Sequence, residues 1–219
     1  MRYFTKKWYN EMQVYGFLAF PDSKEEWEES VQYYQEEGID YKKNAKEDLE
    51  SRKSDLLKFL PEPFHPYIHN GTINSEFPSP ELRNIAEQWL MEYDERMKKV
   101  SNEYNDHYES IKSQLPKNVV QLHENSLHDA TIKSFESHSK DTFIMILDCS
   151  GGFHYFTDIK LTFTGVSKLI MPEKFEGAWW LYDEVYRSDK YFELNVLFDC
   201  PLTEFSIIAE NVVIEQFRL

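Results

Sequence analysis

The sequence has no apolar run long enough to cross a bilayer, since a membrane-spanning helix needs about 20 predominantly apolar residues. Its opening, Met-Arg-Tyr-Phe-Thr-Lys-Lys-Trp, carries positive charge but lacks the apolar segment and the small-residue cleavage site of a secretory signal. These absences argue against a membrane-spanning or secreted protein. The expected location is therefore the cytoplasm.

Cysteine is also scarce, with two residues in a chain of 219. Cys149 and Cys200 each follow an apolar run and an aspartate, which predicts that they lie at matching ends of two strands. In a reducing compartment we expect two buried thiols and no disulfide. The fold must then depend on its hydrophobic core, and a chain of this size buries about 70% of its unfolded surface.

Basic residues are few: 24 Lys and Arg stand against 39 Asp and Glu, which gives a formal net charge of −15. Such a surface repels the phosphates of nucleic acids and anionic membranes, so we expect neither as a partner. It attracts a basic protein instead. That attraction should weaken as salt is added.

The first half of the chain has bulky apolar residues at helical spacing. One helix is predicted over residues 3–18, and a second over residues 23–60 with a weak point at Gly38. A third is predicted over residues 80–115, with a proline at its first position. We expect a helical hairpin or three-helix bundle that forms a domain over residues 1–116.

After residue 117 the spacing changes to the period of two that is typical of strands. Residues 132–149 predict a hairpin, and Gly151 and Gly152 are expected to supply positive φ angles at a following corner. About seven short strands predict a mostly antiparallel sandwich or partly open barrel over residues 119–219. The predicted class is α+β, with helices before strands.

Three pairs of residues are candidates for a binding site in the strand half: His128 with Asp129, Gly151 with Gly152, and Trp179 with Trp180. An aspartate beside a histidine can orient an imidazole, but neighbours on a strand point to opposite faces, so we do not expect the first pair to meet directly. A turn with a hydrogen-bonded histidine is the competing interpretation. Alternation also predicts that one tryptophan is core and that the other is an exposed binding anchor or edge protection.

His65 and His69 are candidates for a metal site because their spacing of four resembles that of zinc-binding helices. The glutamate of a zinc-protease helix is absent, and the residues lie in a proline-rich segment, 61–80, that is predicted as a loop. A structural role is the competing interpretation. The sequence contains no serine elbow, phosphate loop or dinucleotide fingerprint.

Three segments carry a resemblance: Arg-Tyr-Phe-Thr-Lys-Lys-Trp-Tyr-Asn-Glu-Met-Gln at the start, then Leu-His-Asp-Ala-Thr-Ile and Ile-Lys-Leu-Thr-Phe-Thr-Gly-Val. With them the chain resembles, over its whole length, a family of uncharacterised bacterial proteins known only as a domain of unknown function. That resemblance implies no activity and no catalytic residues. The strand half is also similar to small β domains, some of them assigned as immunity proteins of toxin systems.

These observations predict an interaction protein without catalytic activity or cofactor, which binds a basic protein through acidic and aromatic surface. An immunity or regulatory protein would fit. One alternative is a hydrolase or metal-dependent enzyme with a site between the halves that combines His65 or His69 with His128 and Asp129. Another is a small-ligand module with a pocket in the β domain.

Overall fold

The structure is a computed structural model and describes residues 1–217. Within that range six α-helices precede eight β-strands, which confirms the predicted α+β class. None of the helices described there combines the length and apolar character needed to cross a membrane.

The helices are α1 (Lys6–Phe17), α2 (Lys24–Glu36), α3 (Tyr41–Phe59), α4 (His65–Asn70), α5 (Pro80–Lys112) and α6 (Lys117–Glu124). The strands are β1 (Thr131–Ser139), β2 (Thr142–Asp148), β3 (Asp158–Thr164), β4 (Lys168–Ile170), β5 (Trp179–Ser188), β6 (Tyr191–Asp199), β7 (Thr203–Ala209) and β8 (Asn211–Phe217).

The chain packs into two compact units. The helical unit comprises residues 7–99, and the sheet unit comprises residues 1–6 together with the chain from residue 100 onward. α5 begins in the helical unit and ends in the sheet unit. The predicted division at residues 116–119 was placed where the hydrophobic periodicity changes from helical to strand spacing. The two compact units instead divide at residues 6–7 and 99–100, within the helical part of the chain.

The helical unit has a core built from the apolar stripes of α1, α3, α4 and α5. Tyr15 of α1 stacks on Tyr93 of α5 with ring centroids 4.7 Å apart, and Arg96 of α5 bonds to Glu11 of α1 at 2.8 Å. The residues buried in this core are Val14, Leu18, Leu49, Leu56, Leu60, Phe64, Ile68, Ile73, Leu82, Ala86, Trp89 and Tyr93. The helical spacing in the sequence therefore does mark the buried faces.

The predicted second helix, residues 23–60, is two helices. Gly38 has a left-handed φ of +73° and separates α2 from α3, because glycine adopts that conformation without strain. The Asp40 side chain then accepts a hydrogen bond from the Lys43 N–H at 3.1 Å and caps α3. The weak point in the pattern is therefore a break between two helices.

The proline-rich segment is also more ordered than a loop. A 3₁₀ turn at Glu62–Phe64 leads into α4, which carries both His65 and His69. Pro66 lies in the first turn of α4, where its missing N–H would have no helical partner. Gly71 ends the helix with a φ of +74°.

All eight strands form one antiparallel sheet in the order β4-β7-β6-β5-β1-β2-β3-β8, which does not close into a barrel. β1 and β5 share a single residue pair, Thr131 with Trp179. The sheet folds over so that the half with strands β4, β7, β6 and β5 faces the half with strands β1, β2, β3 and β8. The ring centroids of Phe143 on β2 and Phe205 on β7 are 5.8 Å apart across this fold. The core of the sheet unit fills the space between these halves.

Two local predictions for the strand half are wrong, and one edge strand was not predicted. Residues 117–124 form α6, because Val119 and Leu122 bury one helical face in the core. The three-residue edge strand β4 was too short to give a pattern. Gly151 and Gly152 are not among the described glycines with positive φ, so they do not form the expected left-handed corner.

Candidate functional site

Most of the candidate residues of the strand half lie together at one end of the sheet. The Asp129 N–H donates to the Trp180 carbonyl at 2.9 Å, which joins the segment before β1 to the start of β5. A Cβ atom on Gly152 would lie 3.3 Å from the Cys149 carbonyl oxygen and 3.4 Å from that of His128, so the backbone of Gly152 lies close to the segment before β1. Gly151 is the neighbour of Gly152 and has open space around it.

We define the His128 rim as His128, Asp129, Gly152, Phe153 and Tyr182. The His128 ring lies between Phe153 and Tyr182, with ring centroids 5.6 Å from each in edge-to-face arrangements. Phe153 is 69% exposed, so an aromatic surface is open to solvent here. Burial, together with the nearby Asp129 carboxylate, raises the pKa of Tyr182.

The side chains of His128 and Asp129 do meet, which is contrary to the prediction. Nδ1 of His128 lies 3.0 Å from Oδ1 of Asp129, although the contact lacks hydrogen-bond geometry. The prediction assumed strand geometry, whereas Asp129 has a left-handed φ of 68° and β1 begins only at residue 131. Aspartate tolerates that conformation better than most residues, which allows the turn.

The two tryptophans divide as alternation predicts: Trp180 is 1% exposed and Trp179 is 50% exposed. Trp179 lies in a row across four adjacent strands, because it pairs with Asp199 of β6 and Thr131 of β1, and Thr131 pairs with Asp148 of β2. Residues directly opposite each other project to the same side of a sheet, about 5 Å apart. We call Asp199, Trp179, Thr131 and Asp148 the acidic row.

The acidic row lies on the outer face of the sheet. Each member of the row has a buried neighbour in its own strand, and neighbours in a strand point to opposite faces of the sheet. These buried neighbours are Phe198, Trp180, Ile132 and Leu147. Hydrogen bonds from the Ser150 side chain and backbone N–H lower the pKa of Asp148, which favours its ionised form. The exposed tryptophan therefore has the Asp199 carboxylate on one adjacent strand and the Asp148 carboxylate two strands away on the other side, beyond Thr131.

A second polar cluster, which sequence reasoning missed, is buried in the sheet unit. Nδ1 of His123 on α6 pairs with the Asp183 carboxylate on β5, and Nε2 lies 3.2 Å from the hydroxyl of Tyr104 on α5. Asp183 also accepts from the Trp180 indole N–H at 3.2 Å. These groups lie far apart in sequence, so no local spacing could have joined them.

Glu184 is a fully buried acid that the sequence analysis did not single out. It is 0% exposed and accepts hydrogen bonds from the N–H groups of Arg2, Tyr3 and Phe4 at 2.7, 2.8 and 2.6 Å. The Tyr186 hydroxyl donates to it at 2.5 Å. The sequence did carry a signal for this site, an Asp-Glu pair within the apolar run Trp-Trp-Leu-Tyr-Asp-Glu-Val-Tyr. Acids in such a run are expected to be buried, and buried acids need hydrogen-bond or charge partners.

The candidate metal residues His65 and His69 lie on α4 in the helical unit. Their ring centroids are 6.4 Å apart at 85°, and Nε2 of His65 lies 3.1 Å from the Leu60 carbonyl oxygen. Within residues 1–217 no group of three or more His, Cys, Asp or Glu side chains is placed to hold a metal ion. The pair therefore has no described third ligand.

The cysteines follow β2 and β6 as predicted, and both thiols are unpaired. Cys149 is buried, and burial raises its pKa to about 12. Cys200 is exposed, which corrects the expectation of two buried thiols.

A surface cleft of about 440 Å³ bears on the small-ligand alternative. It lies on the sheet unit between the segment before β3 and the end of β8, and its lining includes His154, Phe156 and Gln216. Phe156 is 74% exposed, so the cleft is largely open to solvent. It is not the enclosed apolar pocket that typically holds a small molecule.

Comparison with known families adds one finding. The family model described as "Protein of unknown function (DUF4085)" matches residues 3–209 of the chain. No curated protein matches the chain.

Proposed function

The chain belongs to the DUF4085 family, whose description names no activity, and we propose that it is an interaction protein that binds a basic segment of another protein at the acidic row. Trp179 is the aromatic contact, Asp199 is the carboxylate beside it, and Asp148 is a second carboxylate two strands away in the same row. The observation that carries the proposal is the exposure of Trp179, at 50%, in register with two acids on the outer face of a sheet.

A lysine or arginine side chain fits this row on physical grounds. The face of an indole ring attracts a cation by about 0.5–1 kcal/mol when exposed, and by about 2 kcal/mol when binding removes water. Asp199 lies directly beside Trp179 in the sheet, so its carboxylate can pair with the same cation. Tryptophan and arginine are also the residues that most often dominate the energy of protein interfaces.

The charge of the whole chain supports the same class of partner. A net charge of −15 produces a field that attracts basic proteins and raises their rate of association. Salt screens that field over about 10 Å at 0.1 M, so the association rate should fall as salt is added. Contacts at the row itself then fix where the partner binds.

Site-specific photo-crosslinking tests the proposal. A photoreactive amino acid at position 131, the member of the acidic row next to Trp179, leaves the tryptophan intact and should capture a basic protein from a lysate of the source organism. The capture should fall with added salt. The same group at Val213, which is 41% exposed on β8, is the matched control and should not capture that protein. The double variant Asp199→Asn/Asp148→Asn should lose most of the capture at position 131.

Equal capture at positions 131 and 213, or capture that does not change when the two aspartates are neutralised, would overturn the proposal. The enzyme and small-ligand alternatives stay predictions. The absence of any captured protein at position 131 at low salt would overturn the interaction proposal and favour these alternatives.

A further inference from the structure

The helical unit carries a second surface that the acidic row does not explain. α2 buries none of its residues, although Trp27, Val31 and Tyr34 lie on one side of it. Tyr33 is 62% exposed beside them. A surface helix normally buries its apolar stripe against a core, so this stripe is only partly covered.

Contacts within the unit account for part of the stripe. The Trp27 ring lies 6.1 Å from Tyr41 and 6.3 Å from Phe77, and the Tyr34 ring lies 5.4 Å from Tyr41. Val31 is half-buried. A shallow groove of about 500 Å³ runs along this flank of α2, lined by Trp27, Glu28, Val31, Gln32, Gln35 and Glu36.

The groove is bordered by negative charge. α2 contains five glutamates and one lysine. That lysine, Lys24, pairs with Glu28 at 3.3 Å, and Glu36 forms the far end of the groove. An apolar floor with an acidic border complements a segment that has one apolar face and a basic opposite face.

We infer that α2 is a docking surface for a basic amphipathic helix of a protein partner, which places its apolar face on Trp27 and Val31. Helices that bind in this way use apolar residues three or four positions apart, which matches the spacing of the α2 stripe. The surface lies in the helical unit and shares no residue with the acidic row. The inference therefore does not rest on the proposed function.

The test uses a synthetic helical peptide of Lys and Leu, with the leucines at helical spacing, titrated against the full chain by calorimetry. Its acidic analogue, with Glu in place of Lys, should not bind. Hydrogen exchange should show protection of residues 24–36 when the Lys-Leu peptide is present.

Val31→Glu separates apolar docking from simple charge attraction. It adds a negative charge but removes the apolar floor, so docking predicts binding about tenfold weaker or more, whereas charge attraction alone predicts tighter binding. Met91→Glu is the matched control, because Met91 is a 63% exposed apolar residue on α5, outside the groove. It should bind the peptide as well as the unaltered chain does.

The variant Glu28→Gln/Glu36→Gln keeps the apolar stripe and should weaken binding about threefold. Circular dichroism of each variant checks that α2 still folds. Unchanged or tighter binding by Val31→Glu, or protection that excludes residues 24–36, would overturn the inference. Trp179→Ala should leave the peptide affinity unchanged. The test of docking at α2 and the test of binding at the acidic row can therefore fail independently of each other.

Discussion

His123 on α6 and Asp183 on β5 form a buried pair that ties a helix to the middle of the sheet unit. Their side chains are 17% and 11% exposed. Both members of the pair are close in sequence to residues of the His128 rim. His123 lies five residues before His128, and Asp183 directly follows Tyr182. The pair therefore helps to position the segment with His128.

The stability of the sheet unit should depend on the charge of His123. Burial acts to lower its pKa, but the carboxylate of Asp183 outweighs burial and raises the pKa above the ordinary 6.5, with a smaller contribution from Glu124 and opposition from Lys112. A raised folded pKa means that the pair contributes fully below pH 6.5 and that this contribution is lost as pH rises through the folded pKa.

Asp183→Asn should therefore lower the free energy of unfolding by roughly 3 kcal/mol at about pH 5.5, where histidines are charged and carboxylates are ionised, since it removes one partner of a largely buried pair. The loss should shrink as the pH rises, because His123 is then neutral in both proteins. Urea unfolding at a series of pH values measures this difference. His138→Gln is the control, because the His138 side chain is 70% exposed; a loss that grows with pH would contradict the assignment.

Glu184→Gln should release the first residues of the chain from the sheet. A glutamine oxygen accepts fewer hydrogen bonds than a carboxylate, so the N–H groups of Arg2, Tyr3 and Phe4 cannot all remain bonded. We expect a loss of roughly 3 kcal/mol in unfolding free energy and faster hydrogen exchange at these three amides.

Glu215→Gln is the matched control for Glu184→Gln. Glu215 pairs with Lys160 at 3.1 Å, but its side chain is 55% exposed, so its loss should cost less than about 1 kcal/mol. Equal losses from the two variants would show that Glu184 does not anchor the segment.

Gly152→Ala should destabilise the protein, whereas Gly151→Ala should not. A Cβ atom at Gly152 lies 3.3 Å from the Cys149 carbonyl oxygen and 3.4 Å from that of His128, and backbone atoms cannot move aside without shifting the rim. At Gly151 the Cβ atom meets nothing within 4 Å. Thermal unfolding should show a loss of roughly 1 kcal/mol for the first variant and a change within about 0.5 kcal/mol for the second.

The two thiols should differ in reactivity. Cys200 is exposed and should react with a thiol reagent within the native protein. Cys149 is buried with a pKa raised to about 12, so it should react only after unfolding. A count of modified thiols by mass spectrometry, with and without denaturant, measures this, and modification of Cys149 in the native state would contradict the burial.

The sequence was a good guide wherever the information is local. Period-3.6 spacing marked the buried face of α5, and alternation separated Trp180 from Trp179. The sequence was a poor guide where a single residue changes the course of the backbone. Gly38 is an example, because its positive φ angle separates α2 from α3. The resemblance to a family of unknown function is confirmed over residues 3–209.

By itself the sequence determined the α+β class, the acidic charge and most of the helical and strand segments, because these follow from composition and from residue spacing within one segment. The tertiary structure decided which residues meet: Trp179 with Asp199 and Asp148 in the row, and His123 with Asp183 in the core. Strand order, register and helix packing bring such residues together across 20 to 60 positions, and no spacing within one segment encodes that partnership.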